Sequence, residues 1–155
     1  MARYETEFFS VDDDQQQLEA AIDELVVTGD GWINLEPKVG EDSRVEVSGF
    51  FAWFSARGPR VPVGTFVAGN DRDAASVGLA HGSGRGAGDR LEDLGVQAPS
   101  DWSPRQDHAK HGLVWQVHPQ KVDAAAVAEI LLKGTTALAS VPTIGGWVVT
   151  VHRPK

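Results

Sequence analysis

The chain contains no cysteine, which excludes a disulfide framework, a thiolate nucleophile, a zinc–thiolate knuckle and an iron–sulfur site. It is also poor in cations. Fourteen Lys and Arg stand against 22 Asp and Glu, a formal charge of −8. Proteins that coat nucleic acid draw most of their binding free energy from cations on phosphates, so nucleic acid is not the expected partner. The same deficit argues against docking on an anionic membrane. No apolar run approaches the ~18–20 residues of a membrane span, and Met1-Ala2-Arg3-Tyr4-Glu5 leads into acids rather than into a signal-peptide apolar region. A cytoplasmic domain is the expectation.

What is present suffices for a packed core. At 155 residues, 41% hydrophobic and 23% charged, the chain reads as one α+β domain over 1–155. Leu18, Ala21, Ile22, Leu25 and Val26 repeat at helical spacing and form one apolar stripe. Asp12, Asp13 and Asp14 crowd the start of that helix, Gln15 stands three residues after Asp12 as in a capping box, and Gly29 marks a stop. Val127, Ile130, Leu131, Gly134 and Leu138 repeat the pattern after Asp123, with Gly134 a possible early end.

Period-two alternation marks strands around both helices. Tyr4, Thr6 and Phe8 alternate with Arg3, Glu5 and Glu7; Leu113, Trp115 and Val117 with Val114, Gln116 and His118; Trp147, Val149 and Val151 with Val148, Thr150 and His152. A central hairpin is expected from Val45–Ser55 and Val61–Ala68 around Arg57-Gly58-Pro59. Residues 3–37 and 112–154 thus share one order: strand, amphipathic helix, Gly-Trp, strand. The architecture implied is a two-layer sandwich of split-βαβ, ferredoxin-like type. Two βαβ units flank the hairpin, and two main helices cover one face of a mixed or antiparallel sheet.

Such a layering leaves one sheet face open. The terminal strands place Glu5, Glu7, Gln116, His118, Thr150 and His152 there, opposite their apolar sides. The Val45–Ser55 strand is apolar on both sides and needs two covers, so the Gly-rich, irregular segment at about 70–110 or a second subunit is expected to lie across the open face.

Candidate chemistry is sparse. Gly82, Gly84 and Ala87 fit G-x-G-x-x-A, a loop that lets backbone N–H groups approach a pyrophosphate, with Arg85 and Arg90 adding charge. The short helix pattern that follows, ending before Gly95 and Pro99, does not complete a dinucleotide unit. Arg85-Gly86-Ala87-Gly88 resembles the acyl-CoA pyrophosphate loop of small acetyltransferases but departs from it at Arg90. A covering loop is the preferred reading. His108 and His111 have HxxH spacing without a third ligand, so they are only metal candidates. His118 and His152 each end a strand on the open side and form a candidate acid–base pair. Trp32, Trp53, Trp115 and Trp147 sit in strand patterns facing the core, while Trp102 is either a plug for its loop or a partner-contacting anchor.

No coherent catalytic set emerges and no cofactor is implied. The preferred function is a non-catalytic binding or protein-interaction domain whose acidic surface steers a basic protein partner, with a homodimer through the open face as a second possibility. The alternative is a small enzyme or ligand-binding domain. Its pocket would be walled by Phe50, Phe54 and Trp102, with Gly82, Gly84 and Arg85 meeting a phosphate- or nucleotide-bearing ligand.

Overall fold

The computed structural model describes residues 3–40, 61–82, 86–108 and 112–155. In chain order these form β1 (Tyr4–Val11), α1 (Gln16–Thr28), β2 (Trp32–Val39), β3 (Val63–Val67), β4 (Ala75–Ala80), α2 (Ala87–Asp93), β5 (Ser103–His108), β6 (Gly112–Val117), a 3-10 turn (Pro119–Lys121), α3 (Ala124–Ala137) and β7 (Thr143–Pro154). The seven strands make one sheet in the order β1-β7-β2-β3-β4-β6-β5, and every neighbouring pair is antiparallel. The fold is α+β, as expected, with a sheet larger than a four-stranded sandwich. The expected Val45–Ser55 strand lies outside the described residues.

Connectivity follows from these pairings. β7 is antiparallel to both β1 and β2, so β1 and β2 run parallel with β7 inserted between them. β6 and β7 are parallel as well, separated by β2, β3 and β4. Each parallel pair is joined through a helix, α1 or α3.

Helix ends follow the polar residues. Asp123 Oδ1 accepts from Ala125 N at 3.0 Å and Ala126 N at 3.4 Å, holding amides the first turn of α3 leaves free. At α1 the expected capping box does not form, because Gln15 occupies the N-cap without a side-chain bond. Asp14 serves instead, accepting from Gln16 N at 2.8 Å, while Asp12 faces Lys38 at 3.7 Å. Gly29 closes α1 at φ 72°, its N–H donating to Leu25 O.

The helices pack on one face. Leu18, Ile22 and Leu25 of α1 and Val127, Leu131 and Leu132 of α3 join one core with Ile33, Leu35, Phe66, Val77, Val149 and Val151 of the strands. Two glycines set the depth of α3. A Cβ on Gly64 of β3 would lie 3.0 Å from Leu131, and one on Gly134 would lie 2.6 Å from Leu79. Gly134 therefore does not end the helix; it lets the backbone settle on β4.

Three expectations need correcting. The 70–110 stretch, read as irregular cover, supplies β4 in the body of the sheet, α2, and the edge strand β5. Its small residues hid the alternation of Ala75, Val77 and Leu79 with Ser76, Gly78 and Ala80. On β1 the faces are reversed. Val11 and the half-buried Phe9 reach the core, so Glu5 and Glu7 share the helix side and Phe8 is 70% exposed on the other. Trp32 likewise faces away from the helices, because Ile33 and Leu35 occupy the core positions of β2.

The α1–β2 turn is tight. Gly31 has φ 106°, and a Cβ there would meet His152 O at 2.5 Å and Leu25 Cδ2 at 2.9 Å. Gly31→Ala combines backbone strain with overpacking. It is expected to cost about 3 kcal/mol, on the order of 10 °C in Tm, measured by thermal unfolding.

Candidate functional site

The side of the sheet away from the helices collects the even-numbered residues of β1, β2 and β7. At one end Trp32 stacks on His152 with ring centroids 4.5 Å apart and planes at 20°, and Tyr4 packs edge-on against Trp32 at 4.9 Å. The register explains this, since Trp32 and Thr6 both lie opposite His152. Thr6 Oγ1 and His152 Nδ1 share a hydrogen bond of 3.0 Å, and Tyr4 Oη donates to Asp30 Oδ1 at 3.0 Å. Further across the face, Thr65 Oγ1 donates to Asn34 Oδ1 at 3.0 Å and Arg105 Nε to Gln116 Oε1 at 2.8 Å. Phe8 and Val67 stay exposed between these polar groups, Val67 at 42%. Half-buried rings with a carboxylate beside them suit an apolar group or a cation, which is attracted to ring faces and to Asp30 alike.

The sequence candidates disperse. His118 directly follows β6 and His152 lies on β7, with β2, β3 and β4 between the two strands. At 4.7–4.9 Å per strand the separation is about 19 Å, too far for an acid–base pair on one reacting group. His118 instead opens the 3-10 turn, its Nδ1 accepting from Gln120 N at 3.2 Å. Trp102 is 5% exposed and packs on Trp115 at 6.0 Å on the helix side, so it plugs the core rather than walling a pocket on the open face. Gly82 is buried just beyond β4. His108 is exposed at the end of β5, and among the described residues no three His, Cys, Asp or Glu side chains converge. Phe50, Phe54, Gly84, Arg85 and His111 lie outside the described residues. A cleft of about 460 Å³ beside Val96, Pro99, Ala126 and Ile130 is lined by none of the candidates.

Two features were missed. Trp32, assigned to the core, is the centre of the aromatic cluster, and Tyr4 and Asp30 were not singled out. His81 is fully buried. It continues the core parity of Ala75, Val77 and Leu79, a signal that was available. Burial pushes its imidazole pKa down, and Arg90 pushes it further, against an opposing pull from Asp107. Asp107 also accepts from Gly88 N at 3.3 Å, tying β5 to α2.

Comparisons of the chain with protein-family models, curated proteins and solved structures return no match.

The shifts at Tyr4 and His81 have measurable consequences. Tyr4 is the only tyrosine, so tyrosinate absorbance reports it alone. The hydrogen bond to Asp30 raises its pKa, with burial and the Asp30 charge acting in the same direction. The midpoint is therefore expected above the ordinary value of about 10, and Asp30→Ala should bring it down toward that value. A raised acid pKa means this contribution to stability is complete below about pH 10 and is lost as pH rises through the folded-state value. His81 has the opposite sign of shift. Its contribution is complete above the unfolded value of about 6.5 and is lost as pH falls below it. Plots of Tm against pH should drop less steeply on the acid side for His81→Leu than for the parent.

Proposed function

We propose that this chain is a non-catalytic protein-interaction domain whose sheet face away from the described helices receives a basic protein partner. The observation that carries the reading is the cluster of Tyr4, Trp32 and His152 on that face, with the exposed Phe8 and Val67 nearby. Aromatic side chains that keep little conformational freedom make good interface anchors. Asp30 beside Tyr4, in a chain of formal charge −8, favours a cationic partner. In this reading the two strand–helix–strand units are split βαβ units on an enlarged sheet, which puts the described helices on one side and frees the other for docking. The absence of cysteine suits the reducing cytoplasm.

A photoreactive benzoyl-phenylalanine at position 67, introduced in the cell of origin, tests this. Adducts with a protein rich in Lys and Arg are expected there and not at position 27, on the 88%-exposed outer side of α1. No adduct at 67, or equal adducts at both positions, sinks the reading, and an adduct with a second copy of the chain replaces it with a homodimer. A thermal-shift series with nucleotides, coenzyme A and divalent metals should be flat. A ligand present at 100 times its Kd adds about 2.7 kcal/mol, which would raise Tm by several degrees and favour a ligand-binding domain.

A further inference from the structure

The sheet has two outer edges, and they are finished differently. β5 has six residues, includes Pro104, and slips its register on β6 between Pro104 and Gln106. Prolines and bulges deny an incoming strand a regular ladder. β1 has eight residues, no proline, and an unbroken register on β7 from Tyr4–Pro154 to Val11–Trp147. Nothing in its backbone blocks a further strand.

The direction of its free groups can be derived. Lys155 N donates to Arg3 O at 3.1 Å, so that end of the ladder is a hydrogen-bonded pair. In an unbroken antiparallel ladder such pairs recur every second residue, at Glu5, Glu7, Phe9 and Val11. The N–H and C=O groups of Tyr4, Thr6, Phe8 and Ser10 therefore point away from β7. Among the described residues, no backbone hydrogen bond outside the ladder reaches these four.

The side chains restrict what can add. Residues 3–14 hold five carboxylates and one arginine. Glu5 and Glu7 are exposed on one side of the strand, Thr6 and Phe8 on the other. Arg153 meets Glu7 at 3.3 Å but also serves Glu24 at 2.7 Å. A second copy of β1 paired through the middle of the strand would set these glutamates against one another, and like charges across strands are destabilising.

We propose that β1 accepts an extended basic segment of another protein as an eighth, antiparallel strand. Its main chain would meet the outward groups of Tyr4, Thr6, Phe8 and Ser10. Its Lys or Arg residues would stand by Glu5 and Glu7, and its apolar residues by Thr6 and Phe8. This deepens the interaction-domain reading and rests on it.

The probe is a ten-residue peptide alternating lysine and valine, followed by fluorescence anisotropy and by amide hydrogen exchange of the whole protein. Binding should slow exchange at Thr6 and Phe8 by about tenfold or more, while the already bonded Glu7 and Phe9 change little. N-methylating the valines, whose amides face β1, should weaken binding by about tenfold or more, and N-methylating the lysines should not. Phe8→Pro removes an outward donor that β7 does not use and should also cost about tenfold, whereas Phe8→Thr should stay within a few-fold. The N-methylated peptides give an answer even if the proline variant fails to fold.

Three results would overturn the inference: no binding, unchanged exchange at Thr6 and Phe8, or equal affinity for the valine-methylated peptide. Equal affinity for a peptide alternating glutamate and valine removes the basic partner. Perturbation of Trp32 and Val67 with β1 amides unchanged rejects the edge and leaves the face-docking reading standing.

Discussion

The seating of α3 on the sheet is the contact on which the rest depends. Gly64 and Gly134 remove side chains where helix and strands come closest, and Leu79, Leu131 and Thr135 fill the remaining space. Thr135 satisfies its hydroxyl within the helix, donating to Leu131 O at 2.7 Å, so the close approach leaves it no unmet hydrogen bond. With α3 held across β2, β3 and β4, α1 packs beside it and α2 extends the same layer over β6. The described helices thereby share one side of the sheet. Among the described residues, the other face of the sheet carries side chains that bond with one another.

That division explains why the open face is structured without being buried. Its residues form local pairs: Thr6 with His152, Tyr4 with Asp30, Thr65 with Asn34, Arg105 with Gln116. Such pairs hold rotamers in place at little net free-energy cost, and fixed rings lose less entropy when something docks on them. On the helix side, Arg153 bridges Glu7 and Glu24 and so ties β1 to α1 across the end of the sheet. Because these ions are partly exposed, the bridge adds little stability and acts mainly to orient the edge strand.

The helices were legible in the sequence because their signals are chemical as well as periodic. Asp123 and Gly29 mark ends that the backbone uses as expected. The inward faces of β6 and β7 were legible too, since Trp115, Val117, Val149 and Val151 alternate with the polar Gln116, His118, Thr150 and His152 towards the strand ends. β1 and β2 were harder. Alternation gives two faces but does not say which one meets the helices, and aromatic rings at Tyr4, Phe8 and Trp32 resemble core residues while lying on the open side. β4 escaped because Ser76, Gly78 and Ala80 carry too little side chain to display a polar face. The site suffered most from long-range order: whether His118 and His152 meet depends on three strands inserted between theirs, which no local pattern reveals.

β7 has a consequence for the order of assembly. It is the last of the seven described strands in chain order, yet it lies between the first two, and its bond from His152 to Thr6 spans 146 positions in the chain. During synthesis β1 and β2 emerge before the strand they share, and the ribosome must deliver residues 40–142 before that gap closes. Closing so large a loop is entropically slow. Residues 4–39 therefore wait with strand edges exposed, and the five carboxylates within residues 3–14 work against edge pairing between copies in the meantime.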